Sequence, residues 1–199
     1  MKRLKIGVLA SGGGSNLQSI IDRSLDGSLA GDVVLVISNN SSAKALERAR
    51  RHGIDSLHIS AQSEGSFEAA DKRITAELQG HGIDLVVLAG YMKKAGTVLL
   101  HSFAGRIINI HPALLPKFGG EGMYGMRVHE AVIAAGERES GVTVHLVDNK
   151  YDHGQVLSQV KVPVLPGDTP ETLQKRVLER EHEILPRTIQ ELAENWENK

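Results

Sequence analysis

The chain has 199 residues, Lys+Arg 23 against Asp+Glu 24, a formal net charge of -1 and no cysteine. That length suits one well-buried domain that needs no covalent staple, and the missing thiols exclude a disulfide framework, a thiolate metal site and a cysteine nucleophile. A near-neutral chain with aromatics at 4% offers neither a basic field nor stacking platforms, so nucleic acid is not expected as a partner, whereas a small phosphorylated ligand is.

Residues 6–10 form a continuous apolar run, as in a strand buried on both faces. The basic start before this run resembles a signal peptide. Its apolar core stops at Ser11-Gly12-Gly13-Gly14, too short for export, and the remaining apolar runs (33–37 and 85–89) fall far below the roughly 20 residues of a membrane span. A cytoplasmic protein with no membrane partner is expected. Leu17, Ile20, Ile21 and Leu25 then recur at helical spacing. A second strand is expected at 33–38, a helix at 43–51, a weak strand at 57–59, a helix carrying Phe67, Ala70, Ile74 and Leu78, and a strand at 84–89. His-Gly-Ile-Asp occurs twice, 29 residues apart, about one strand–helix unit. In each copy the glycine suits the left-handed residue that closes a helix.

Residues 107–110 read as a fifth strand, stopped by Pro112, and a glycine-rich loop (119–126) precedes a helix at 128–135. Strands at 142–147 and 155–164 form an antiparallel hairpin. Thr169-Pro170-Glu171 starts a long helix with an inner face of Leu173, Val177, Ile184 and Leu185. Pro186 should kink it, and the polar tail 194–199 should fray. The alternation predicts an α/β fold: a doubly wound, mostly parallel, Rossmann-like sheet with an antiparallel C-terminal hairpin. No linker-like stretch divides it, so residues 1–199 are expected to form a single domain. The sequence leaves monomer and homodimer open.

Two segments carry chemistry. The loop from Ser11 to Asn16 joins the first strand to the first helix, where free N–H groups and the helix dipole suit a phosphate. A dinucleotide site would need glycine at position 17, which is Leu17, and an acid after the second strand, where Ser38-Asn39-Asn40 stands. A P-loop would need Gly-Lys-Ser/Thr, which is absent. A glycine turn without ligand is the plain alternative. On the fifth strand Asn109 and His111 share a face and sit at its carboxyl end, the ligand edge of an open parallel sheet. Satisfaction by neighbouring backbone is the competing reading. Asp152 lies in the hairpin loop, where a turn role is common. A carboxylate beside an imidazole would raise the pKa of that imidazole. The chain has no His-Glu-x-x-His motif and no tight metal-spaced cluster, so no metal is expected.

The segments Ser11-Gly12-Gly13-Gly14-Ser15-Asn16-Leu17-Gln18, Leu88-Ala89-Gly90-Tyr91-Met92, Asn109-Ile110-His111-Pro112-Ala113-Leu114-Leu115-Pro116-Lys117 and Tyr151-Asp152-His153-Gly154 occur in a telling order and spacing. In both respects the chain resembles the phosphoribosylglycinamide formyltransferases, the purine-pathway branch of the folate-dependent formyltransferases, over residues 4–190. The resemblance implies a formyltransferase fold and transfer of formyl from 10-formyltetrahydrofolate, a co-substrate, to the glycine amine of glycinamide ribonucleotide. It implies Asn109, His111 and Asp152 as the catalytic trio, with Asn109 and protonated His111 facing the oxyanion. The phosphate falls to Gly14, Ser15 and Asn16, with Glu181 on the ribonucleotide. The folate falls to Asn109 and to Met92, Lys93, Lys94 and Ala95. Two residues depart from the family pattern: Lys93 stands where many members have arginine, and Phe67 where some have an arginine near the folate. A formyl-folate hydrolase or tRNA formyltransferase would be expected to carry a further domain. A non-catalytic phosphometabolite binder would not need an acid–base pair.

Overall fold

The computed structural model describes residues 3–196. Met1, Lys2 and the tail positions 197–199, for which fraying was expected, lie outside them. The elements are β1 (Leu4–Leu9), α1 (Ser15–Leu25), β2 (Gly31–Ser38), α2 (Lys44–Arg51), β3 (Asp55–His58), α3 (Ala61–Glu64), α4 (Phe67–Gly80) and β4 (Leu85–Leu88). Then follow α5 (Thr97–Ser102), β5 (Ile107–His111), α6 (Met126–Ala134), β6 (Glu139–Leu146), β7 (Val156–Pro163) and α7 (Pro170–Glu194).

One sheet holds all the strands in the order β3-β2-β1-β4-β5-β6-β7. Strands β3 to β5 run parallel, and β6 is antiparallel to both β5 and β7. The apolar runs of the inner strands are continuous because each faces a helical layer on both sides. Ile6 and Val8 of β1, Val87 of β4, and Ile108 and Ile110 of β5 pack with α1, α2, α6 and α7. Leu9, Val86, Leu88 and Ile107 pack on the other face with α4 and α5. Full burial of each such side chain contributes about 1.5–3 kcal/mol. The strand order reverses between β1 and β4, which opens a crevice at the carboxyl ends of the strands.

The helix ends obey local rules. Gly53 and Gly82 take φ values of 67° and 66° just past α2 and α4, as the repeated tetrapeptide predicts. Thr169 caps α7 through its hydroxyl, which accepts from the Thr172 N–H at 3.3 Å. Pro186 does not end α7, which continues to Glu194. Past it, Trp196 packs against the core, so the described part of the tail is anchored. The short helices α3 and α5 were not expected. No helix among the described residues is long and apolar enough to cross a membrane.

Candidate active site

A cavity of about 500 Å³ opens at the carboxyl edge of β4 and β5. Asn16, Met92, Lys93, Lys94, Ala95, Asn109, His111, Asp152 and Glu181 all line it. Gly14 and Ser15 do not; they stand beside Asn16 at the start of α1. Phe67 lies instead in a neighbouring hollow, which shares Tyr91, Lys93, Lys94 and Ala95 with the cavity.

The register of the sheet builds the chemical centre. Asn109 pairs with His145 and His111 with Thr143 across β5 and β6, while the loop 147–155 brings Asp152 over both. Asn109 Nδ2 donates to His145 Nε2 at 3.1 Å and to Asp152 Oδ1 at 3.3 Å. His145 Nδ1 lies 2.8 Å from the Leu146 carbonyl; a carbonyl only accepts, so the ring carries its proton there and Nε2 is free to accept. By the same reasoning His111 Nε2 donates to the Phe118 carbonyl at 2.8 Å. Its Nδ1 faces Asp152 Oδ2 at 3.5 Å. Asp152 Oδ2 also accepts from the Gly120 N–H at 2.9 Å. Asp152 and Phe118 hold left-handed backbone angles, φ 52° and 55°, a strained conformation for residues with side chains.

The electrostatics correct one expectation. His111 was expected to be protonated; the Asp152 charge does raise its pKa, but the net direction is down. Burial pushes it down, and the Asp152 charge and the Phe118 carbonyl only partly oppose this. Burial pushes Asp152 up, yet its polar neighbours, the Gly120 N–H among them, together hold it below the usual carboxylate value. The resting pair is therefore a neutral imidazole beside a carboxylate. The Asn109 amide and His111 Nε2 are both held by protein acceptors.

At the other end of the cavity, Gly14 caps α1 with φ 70°, and a Cβ there would lie 2.8 Å from the Ala45 Cα. Only glycine suits both constraints. The first intrahelical bond runs from Gln18 N to Gly14 O, which leaves the N–H groups of the first turn pointing out of the helix. Arg48 braces this loop, donating through Nε to the Gly13 carbonyl at 2.8 Å and through Nη1 to Gln18 at 3.1 Å. Asn16 Nδ2 donates to Glu181 Oε2 at 2.5 Å. Glu181 is 8% exposed, and burial pushes its carboxyl up to about 7 against the opposing Asn16 hydrogen bond. Ser11 ties the two ends together: its hydroxyl donates to Asn39 Oδ1 at 2.5 Å and accepts from the Met92 N–H at 2.8 Å.

Sequence reasoning did not assign His145, the Phe118 carbonyl or the Gly120 N–H to the site. The alternation that puts Thr143 and His145 on one face of a strand was the available signal for His145. Among the described residues no group of three or more His, Cys, Asp or Glu could hold a metal ion.

The formyl transferase family model matches residues 4–189. The chain is 44% identical over 194 residues to the chloroplastic phosphoribosylglycinamide formyltransferase of Arabidopsis thaliana, covering 97% of this chain and 66% of that one. To the phosphoribosylglycinamide formyltransferase of Escherichia coli it is 40% identical, covering 96% of this chain and 88% of that one. Its fold superposes on the crystal structure of glycinamide ribonucleotide transformylase 1 from Symbiobacterium toebii with a TM-score of 0.91 at 43% identity, covering 96% of this chain and 88% of that one. The chain thus spans just under two thirds of the length of the Arabidopsis relative.

Proposed function

Because the chain belongs to the formyl transferase family, we propose that it moves the formyl group of 10-formyltetrahydrofolate to the glycine amine of glycinamide ribonucleotide. One observation carries the reading: a single cavity is lined by the Asn109–His111–His145–Asp152 cluster, by residues 92–95, and by Asn16 and Glu181. That is a site for two substrates that meet at a polar centre.

The phosphate binds at the first turn of α1, where Gly14, Ser15 and Asn16 present N–H groups and the dipole adds positive potential. The folate lies along Met92, Lys93, Lys94 and Ala95. Holding both substrates in one cavity supplies orientation. The substrate amine attacks the formyl carbon, a C–N bond forms, and the former carbonyl oxygen becomes an oxyanion. That oxygen replaces the Phe118 carbonyl at His111 Nε2 and shares the Asn109 amide. One such donor is typically worth about 3–4 kcal/mol. The His111–Asp152 pair accepts the proton shed by the amine and returns it to the departing folate nitrogen as the old C–N bond breaks. The neutral resting imidazole is the form able to take that proton. A cytoplasmic setting and small-molecule partners go with this reading.

Absorbance of the folate product, followed with and without glycinamide ribonucleotide, tests it. Turnover should require the amine. Equal deformylation without the amine would point to a hydrolase and overturn the proposal.

A further inference from the structure

The cavity contains a second buried imidazole that the scheme above leaves unused. His129 sits on α6, is 2% exposed and lines the cavity. Its Nδ1 is sealed from solvent and has no hydrogen-bond partner among the described residues. A proton on Nδ1 would be a buried donor with nothing to accept it, so the ring carries its proton on Nε2, the nitrogen left to meet the cavity. Burial, foremost, pushes the His129 pKa down to about 4. His129 is therefore a neutral donor.

Its place in the fold selects the ligand. Helix α6 packs on α7, which lines the cavity through Gln174, Leu178 and Glu181. Asn16, hydrogen-bonded to Glu181, has its Oδ1 buried and sealed from the cavity, as His129 Nδ1 is. The wall assigned to the amine substrate thus offers one unmet donor, the His129 Nε2–H. A carbonyl oxygen matches it. Glycinamide ribonucleotide carries one in the amide between its glycine and its ribose. We propose that His129 is a specificity residue whose Nε2–H donates to the amide carbonyl oxygen of the amine substrate. This rests on the functional reading above.

Steady-state kinetics of His129→Phe, with each substrate varied in turn, test the assignment. The KM for glycinamide ribonucleotide should rise about tenfold while the KM for the formyl-folate stays within twofold, the loss of uniform binding to one partner. His129→Gln, which restores an N–H donor, should recover most of the loss. An unchanged ribonucleotide KM in His129→Phe overturns the assignment. So does a parallel rise in both KM values that His129→Gln does not relieve, since that marks a packing role. Should His129→Phe fail to fold by circular dichroism, His129→Leu against His129→Asn makes the same donor comparison. If the wild-type protein does not require glycinamide ribonucleotide, the functional reading itself falls. If it does and the variants are indifferent, only the role of His129 falls.

Discussion

The loop after β1 and the loop between β6 and β7 serve the same cavity by opposite means. The first works through backbone: Gly14 turns it, Arg48 braces it, and its free N–H groups need no side chain. The second works through one side chain, Asp152, which is gripped by the Gly120 N–H and Asn109 and faces two imidazoles. A backbone site is specified by neighbours in sequence. A side-chain site is specified by partners far along the chain, here as much as 43 positions away for Asn109. The first should therefore fail by losing affinity, and the second by losing rate.

The sharpest break in that contrast is Asp152→Asn. It keeps the shape and an acceptor for Gly120 but removes the charge that offsets a protonated His111. We expect kcat to fall about 10²–10³-fold with both KM values within about threefold. A fall in kcat under tenfold would remove Asp152 from the proton path. Next comes Gly14→Ala, which places a Cβ against Ala45 at φ 70°. It should raise the ribonucleotide KM by about tenfold and lower stability by roughly 1–3 kcal/mol, both read from kinetics and urea melts. Equal losses of affinity for folate and ribonucleotide would blur the distinction between the loops.

The smallest effect concerns Glu181. Its carboxyl is held near 7 when folded, against an ordinary 4.5, so the folded chain keeps the proton longer than the unfolded one. Its contribution to stability is complete below about pH 4.5 and is lost as pH rises through about 7. Glu181→Gln should escape that loss, gaining on the order of 1–3 kcal/mol over wild type between pH 5 and pH 8. A pH-independent difference in urea midpoints would show that the carboxyl is not titrating there.

The same division explains what was legible in the sequence. The inner strands announce themselves as apolar runs because both faces are buried. Asn109 and His111 stand out as polar residues on such a strand. The glycines of the first loop announce a tight turn. By contrast, α3 and α5 are too short to show a period, and the start of β6 at Glu139 and Gly141 reads as loop. His145 joins Asn109 only through the β5–β6 register, which no local pattern encodes. Glu181 has the sequence context of an exposed helical charge, yet it is buried and hydrogen-bonded by Asn16, 165 positions away. The lowered His111 pKa likewise depends on how deeply the ring is enclosed, and no single-residue property reports that.

Ser11 has a consequence for how this site can vary. Its single oxygen is at once the tether of the Met92 amide and the partner of Asn39, so the strand-end hydroxyl acts as a rivet between the segment at Met92 and the end of β2. Threonine could replace it, whereas alanine would cut the link. A chain with alanine there would have to hold those two segments together by other contacts.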